Sequence, residues 1–360
     1  MKVCIIGNNL TSLALAKALI NKEIFVDIFC KNKKVNVDKT RTIGVSKSNI
    51  DYFNKNISNI NKILWPIKKI KIFSENSGYE ELIRFEDQER DLFSIVKNDK
   101  ITNQLCLELK KNEFFNFKED IGYKSFDKNN YDLVINCDSK HEITKRFFHK
   151  KFEKEYGSIA FTTVINHKKM KFNNTAFQVF TNKGPIAFLP ISSEKTSIVY
   201  SIRTKNFNTE INIGSLIKKY NLSYEIKNID QISKFKLSSL NLRYYYKNNI
   251  LAFGDLLHKL HPLAGQGFNM SIRDISRLLE IISDKVKLGL PLDESVCVEF
   301  QNITKSRNFI FSEGIDFIYE SFNSKNRFKK SFIDKSVKLI GKNKLINKYF
   351  KKIADIGLNL

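Results

Sequence analysis

Apolar residues open the chain as a short continuous run, Val3-Cys4-Ile5-Ile6, that meets glycine at position 7. A run of this kind, bounded by a turn residue, predicts a buried strand over 2–7. From 10 to 21 the spacing becomes helical, with Leu13, Ala14, Ala18 and Leu19 on one face. Residues 24–30 return to a strand pattern, so the chain opens as a βαβ unit. A loop over 38–46 leads into a predicted helix near 49–64. Trp65-Pro66 ends it, because proline disfavours helix in the residue before it. Residues 68–73 and 81–85 alternate about Asn76-Ser77-Gly78, the pattern of a β-hairpin. Ile101, Leu105 and Leu109 give helical spacing over 100–111, and 131–136 reads as another buried strand.

Four β-rich segments follow closely, at 157–166, 176–181, 186–190 and 196–204, and predict an antiparallel sheet distinct from the opening unit. A helix over 213–220 and a strand over 233–240 lead to a last strand, Ile250-Leu251-Ala252-Phe253, and everything after Leu292 has helical spacing. The predicted class is α/β: a Rossmann-like domain interleaved with an antiparallel β-sheet domain, followed by a helical C-terminus.

The strand at 250–253 runs into the most informative loop of the chain. It ends in Gly254-Asp255, which puts a carboxylate at the carboxyl edge of the sheet, where α/β proteins bind ligands. The loop continues through His258-Lys259-Leu260-His261-Pro262-Leu263-Ala264-Gly265-Gln266-Gly267-Phe268-Asn269. Pro262 stiffens it, while Gly265 and Gly267 let its backbone approach a flat ligand. Asn269, a good capping residue, predicts the start of a helix with Ile275, Leu278, Leu279 and Ile282 inward. The amino end of that helix turns unpaired N–H groups and a partial positive charge toward whatever the loop holds. His258 and His261 have no companion carboxylate or thiol cluster, so no metal site is predicted.

Composition narrows the choice of chemistry. A chain of 360 residues, 42% of them hydrophobic, can bury a full core. Cys4, Cys30, Cys106, Cys137 and Cys297 are scattered and never form a C-x-x-C pair, which argues against disulfides or a thiolate zinc site and for a reducing compartment. The opening residues read as a strand rather than a signal peptide, and no apolar run reaches the ~18–20 residues that span a bilayer. The net charge of +23 raises nucleic-acid binding as a reading. Lys, Asn, Ile and Phe are all plentiful, however, as an A/T-rich genome imposes, and no zinc-finger, RNA-binding or helix-turn-helix pattern is present. No nucleic-acid partner is predicted. Between Lys325 and Lys352 eleven basic residues stand against one acid, Asp334. Interleaved apolar stripes there predict two short basic amphipathic helices, which either face an anionic membrane surface or pack on the body of the fold.

The string from Gly254 to Asn269, continued by Met270-Ser271-Ile272-Arg273-Asp274, resembles the second flavin motif of aromatic-ring flavin monooxygenases of the p-hydroxybenzoate-hydroxylase type. Among them it is most similar to the ubiquinone-biosynthesis hydroxylases. Ile95-Val96-Lys97-Asn98 resembles another family segment. Tyr156-Gly157, with Gln178 through the Gly184-Pro185-Ile186-Ala187-Phe188-Leu189-Pro190 string, resembles the family's substrate sheet. With Phe300-Gln301 and Arg307-Asn308, the resemblance covers nearly the whole chain.

The resemblance implies FAD as cofactor. It puts Asp255 against the ribityl chain, with Gly254, Pro262, Gly265, Gln266, Gly267 and Asn269 around the flavin, and the helix end would stabilise negative charge on the reduced ring. At the amino terminus Gly7-Asn8-Asn9-Leu10-Thr11-Ser12 stands where the family has G-x-G-x-x-G. Gly7 is kept, whereas Asn9 and Ser12 replace the other glycines; Asn tolerates left-handed backbone angles and Ser is small, so the turn forms with a poorer fit to phosphate. Cys30 ends the second strand, where an acidic residue normally binds the adenosine ribose, and Asp27 lies three residues too early. Asp138 keeps the acid of the family's middle motif, followed by Ser139 instead of glycine. Asp38-Lys39-Thr40-Arg41 resembles an Asp-x-Arg loop one residue longer, so Arg41 either approaches the cofactor or belongs to a solvated basic loop.

The implied domains are a discontinuous FAD-binding part (1–66, 91–150, 241–300), a substrate β-sheet (67–90, 151–240) and C-terminal helices (301–360). The implied function is hydroxylation of the aromatic ring of a polyprenyl phenol or quinol in ubiquinone biosynthesis, through a flavin C4a-hydroperoxide, with NAD(P)H as reductant and O2 as co-substrate. The polyprenylated substrate and the basic tail together predict a cytoplasmic protein, peripheral on the inner face of the membrane and in contact with other quinone-biosynthesis enzymes. The weakened ADP motifs keep a second reading open, a non-catalytic subunit on the same fold that supports a quinone-biosynthesis assembly.

Overall fold

The structure is a computed structural model that describes residues 1–32, 35, 37–87, 91–120, 122, 130–204, 211–261, 265–322, 352–353 and 355–357. The chain begins with β1 (Lys2–Ile6), α1 (Leu10–Ile20), β2 (Phe25–Cys30), β3 (Thr42–Ser46) and α2 (Lys47–Asn56). Next come β4 (Leu64–Ile67), β5 (Lys69–Ser74), β6 (Glu81–Glu86), β7 (Phe93–Lys97) and α3 (Asn98–Lys110). β8 (Phe115–Glu119), β9 (Leu133–Asn136) and α4 (Glu142–Phe147) lead to the long strand β10 (Lys151–His167). After it come β11 (Thr175–Thr181), β12 (Gly184–Pro190), β13 (Lys195–Arg203), α5 (Ile213–Tyr220), β14 (Ile226–Ile229) and β15 (Ser233–Leu242). The described part closes with β16 (Tyr246–Lys247), β17 (Ile250–Ala252), β18 (His258–Lys259), α6 (Gln266–Lys287) and α7 (Glu294–Phe322).

Three sheets result. The first runs β16-β17-β9-β1-β2-β8 and is parallel except for the β16–β17 pair. Its central strands β1, β9 and β17 are continuous hydrophobic runs, buried on both faces, and α1, α3 and α6 pack into one core with them. The second runs β18-β15-β10-β13-β12-β11-β5-β6, with β14 attached to β10; it is antiparallel apart from β11 beside β5. Its own core gathers Phe161, Phe177, Phe188, Tyr200 and Ile217. A small third sheet, β3-β7-β4, lies in the sequence between segments of the other two.

Three sequence expectations change. Residues 42–46 are not loop but strand, paired antiparallel with β7; Gly44 and Thr42 hide an alternation that buries Ile43 and Val45. The helix expected near 49–64 stops at Asn56, where Asn21 Nδ2 donates to the carbonyls of Asn56 and Ile57 and so caps its carboxyl end. Trp65-Pro66 then belongs to β4, an edge strand, where a proline without an N–H costs no ladder bond. The third change, at the start of α6, belongs to the site. The two basic amphipathic helices expected within 325–353 lie almost wholly outside the described residues.

Candidate flavin site

Three turns meet at the carboxyl edge of the parallel sheet, after β1, β9 and β17. Gly7 has φ +94°, and a Cβ on it would sit 3.1 Å from the Asp138 Cβ, so glycine is what lets the first two turns touch. Gly254 has φ +66°, and a Cβ there would meet the Thr11 methyl at 3.0 Å, which docks the third turn on the first turn of α1. Asn9 is not left-handed: its backbone is extended, and its Oδ1 caps α1 by accepting from the Ser12 amide at 3.0 Å. Its Nδ2 donates to the Cys137 carbonyl at 2.9 Å, tying the β1 turn to the β9 turn. Ser12 is fully buried and donates its hydroxyl to Asn9. Burial pushes the Cys137 thiol up to about 12, and the charges of Asp255 and Asp138 push the same way. Both acids therefore flank one thiol, Asp255 exposed and Asp138 half-buried.

The flavin loop itself ends differently from the sequence expectation. α6 begins at Gln266, and its cap position is Gly265 at φ +64°, with no side chain capping the helix. Asn269 therefore lies inside the first turn. Its Oδ1 accepts from the Ser46 amide and from Asn49 Nδ2, at 3.0 and 3.1 Å, and its Nδ2 donates to the Gly44 and Gly265 carbonyls. Asn269 thus pins the helix start to β3 instead of capping it. A Cβ on Gly265 would sit 3.2 Å from the Gly44 amide nitrogen, whereas one on Gly267 would meet nothing within 4 Å. Pro262 lies outside the described residues.

Arg41 is exposed. Its carbonyl accepts from the Asn98 amide at 3.1 Å, and Asn98 begins α3. Thr40 Oγ1 lies 3.0 Å from Thr162 Oγ1, and Thr42 Oγ1 donates to Ser197 Oγ at 2.8 Å, so the 38–42 segment is stitched to β10 and β13. Burial raises the Asp38 carboxyl, but hydrogen bonds from Thr40 and Ser233 and the Arg41 charge outweigh it and hold it below the usual range.

Sequence reasoning missed what the two histidines do. His258 Nε2 lies 2.6 Å from Asp274 Oδ2, both buried, and Asn308 Nδ2 donates to Asp274 Oδ1 at 3.0 Å. His261 is 1% exposed, stacks on Tyr319 with 3.8 Å between centroids, and meets Tyr156 edge-on. Tyr156 donates to Asp316, which also accepts from Ser239. Only spatial neighbours give this pattern; no spacing in the sequence carries it. Among the described residues no cluster of three or more His, Cys, Asp or Glu fits a metal ion.

Residues 133–287 match the family model described as FAD binding domain. The 3-demethoxyubiquinol 3-hydroxylase of Escherichia coli (strain K12) is 27% identical over 158 residues, covering 42% of this chain and 40% of that protein. The matched part thus spans less than half the length of that relative. The mitochondrial ubiquinone biosynthesis monooxygenase COQ6 of Dictyostelium discoideum is 22% identical over 411 residues, covering 90% of this chain and 82% of that protein. In structure, p-nitrophenol 4-monooxygenase PnpA from Pseudomonas putida DLL-E4 superposes with TM-score 0.82 at 11% identity, over 99% of this chain and 98% of that one. Residues 133–287 are thus similar to an FAD-binding domain, in a chain similar to ubiquinone-biosynthesis hydroxylases in sequence and to aromatic-ring monooxygenases in fold.

The flavin end of the site fits FAD. Gln266 Oε1 and Asn98 Oδ1 are buried without a hydrogen-bond partner among the described residues. Orphaned acceptors in a folded protein call for a ligand or water. The uncapped start of α6 and the open space beside Gly267 leave room for a flat anionic edge. At the ADP end the fit is different. Asp27 is taken up by Tyr131, Lys118 and Lys2 at 2.7, 2.9 and 3.2 Å, so it is no substitute for the acid missing at Cys30.

Burial pushes His261 down to about 3, from an ordinary 6.5. The unfolded chain therefore binds a proton below pH 6.5 that the folded chain refuses until about pH 3. Stability falls through that window as the pH drops, by ~1.4 kcal/mol per unit. His261→Phe keeps the stack on Tyr319 and removes the proton site. Between pH 7 and pH 5 the variant is expected to lose about 2 kcal/mol less than the parent in urea unfolding. Identical losses in both proteins would exclude a buried neutral His261.

Proposed function

We propose that this protein hydroxylates the aromatic ring of a polyprenyl phenol or quinol in ubiquinone biosynthesis, with NAD(P)H as reductant and O2 as co-substrate. The observation that carries the reading is the uncapped amino end of α6, opened by left-handed Gly265 and lined by the orphaned Gln266 amide. Bound FAD supplies the redox chemistry and the activation of oxygen. The protein's own residues position and shield. The Gly265–Gly267 backbone and the α6 dipole take the electron-rich edge of the ring, Asp255 the ribityl chain, and Gly7, Asn9, Ser12, Asp138 and Arg41 the phosphate side. The stitched seam of Thr40, Thr42, Thr162 and Ser197 holds the antiparallel sheet on the 38–42 segment, and the reading has that sheet screen the aromatic ring from water. No acid–base dyad is required, because the cofactor carries the hard step.

The substrate class is taken from the names of the ubiquinone-pathway relatives. A polyprenyl tail partitions into lipid, so the reading includes a peripheral place on the inner face of a membrane, near other quinone-biosynthesis enzymes. No helix among the described residues is long and apolar enough to cross a membrane. The test begins with the absorbance spectrum of the purified protein and titration of the apoprotein with FAD. NAD(P)H consumption with a short-chain polyprenyl phenol follows, with mass spectrometry of the product. Flavin binding and a product heavier by one oxygen atom are expected. Failure to bind flavin at any concentration would sink the reading; bound flavin with no product from any such phenol would favour a supporting subunit.

A further inference from the structure

The adenosine end of the site lacks its usual acid, yet a carboxylate stands next door. β8 runs parallel to β2, with Glu119 level with Cys30. One residue on, the Asp120 amide donates to the Cys30 carbonyl at 3.2 Å, so Asp120 sits at the carboxyl edge beside the position where the acid is missing. Its Oδ1 accepts from the Gly122 amide at 3.0 Å and from His141 Nε2 at 3.3 Å. His141 follows the Asp138 turn after β9, on the far side of β1 and β2. The Asp120–His141 contact therefore crosses above the ends of the two strands over which a dinucleotide lies in this fold.

The donor in this contact follows from the tautomer. The Ile143 amide donates to His141 Nδ1 at 3.2 Å, so that nitrogen carries no hydrogen. The N–H that meets Asp120 is then the one on Nε2, and His141 fixes the orientation of the carboxylate. On the turn side, Asn8 Nδ2 donates to the Asn32 carbonyl at 2.7 Å and closes the path from the β1 turn to the end of β2.

We propose that Asp120, oriented by His141, supplies the carboxylate that binds the adenosine ribose of FAD, in place of the acid absent from the end of β2. The proposal rests on the FAD reading above. A hydroxyl donating to a charged carboxylate is worth about tenfold in affinity or more.

The experiment titrates the apoprotein with FAD, with an FAD analogue lacking both ribose hydroxyls of its adenosine, and with FMN. The wild type is expected to bind the dideoxy analogue about tenfold more weakly than FAD. Asp120→Ala should lower FAD affinity to that level, lose the discrimination between the two, and leave FMN affinity unchanged; isosteric Asp120→Asn should lie between. Equal affinity of the wild type for FAD and its dideoxy analogue overturns the proposal without any variant. So does discrimination that survives in Asp120→Ala. A wild type that binds neither FAD nor FMN would instead fail the cofactor reading itself.

Discussion

Replacing Gly265 with valine is expected to abolish FAD binding while the body of the fold stays in place. Gly265 holds φ +64°, a region costly for any side chain and worst for a β-branched one. The added Cβ would also stand 3.2 Å from the Gly44 amide nitrogen, and that backbone is fixed by the pairing of β3 with β7. Strain of this kind costs ~1–3 kcal/mol for the backbone alone. Relief is available only by moving the loop away from the ring. The expected loss of affinity is about a hundredfold or more, with an unchanged far-ultraviolet circular dichroism spectrum. Gly267→Ala is the control, since a Cβ there meets nothing within 4 Å and should leave binding close to the parent. If Gly265→Val binds FAD as the parent does, this loop does not hold the ring.

Asp274→Ala is expected to cost the most stability of any single change near the site, ~3–5 kcal/mol. The carboxylate is buried and takes hydrogen bonds from His258 at 2.6 Å and Asn308 at 3.0 Å, joining the flavin loop, α6 and α7. Removing it strands two buried donors. Urea unfolding of Asp274→Ala, His258→Ala and the double variant measures the coupling. Strictly additive costs would mean that the contact contributes nothing as a pair.

Much of the architecture was legible because its elements are long enough to display a period. α1 announces itself through Leu13, Ala14, Ala18 and Leu19, and the β5–β6 hairpin through alternation about a left-handed Gly78. β3 and β4 were not legible. Each is four or five residues long, and Gly44 and Pro66 interrupt the signal that would mark them. Asn269 misled for a related reason: an amide good at capping is equally good at bridging two buried backbones, and only the neighbours decide. In the site, Gly7, Asp138, Gly254 and Asp255 were marked by spacing and resemblance and do converge at one sheet edge. Asp120, the Asp274 hub and the His261 stack depend on strands and helices far apart in sequence, so no local pattern reveals them.

The pairing of β9 has a consequence for the growing chain on the ribosome. Leu133, Val134 and Ile135 have no exposed surface in the finished fold, with β1 on one side and β17 on the other. The first partner is made long before; the second cannot emerge until residues 137–249, including β10 to β15 of the antiparallel sheet, have been translated. Throughout that interval an apolar strand edge stays open, and such an edge recruits other strands. A nascent chain of this protein is therefore a natural client for a ribosome-bound chaperone. Chains cut before Ile250 should come out of cells as inclusion bodies, however well their first βαβ unit is formed.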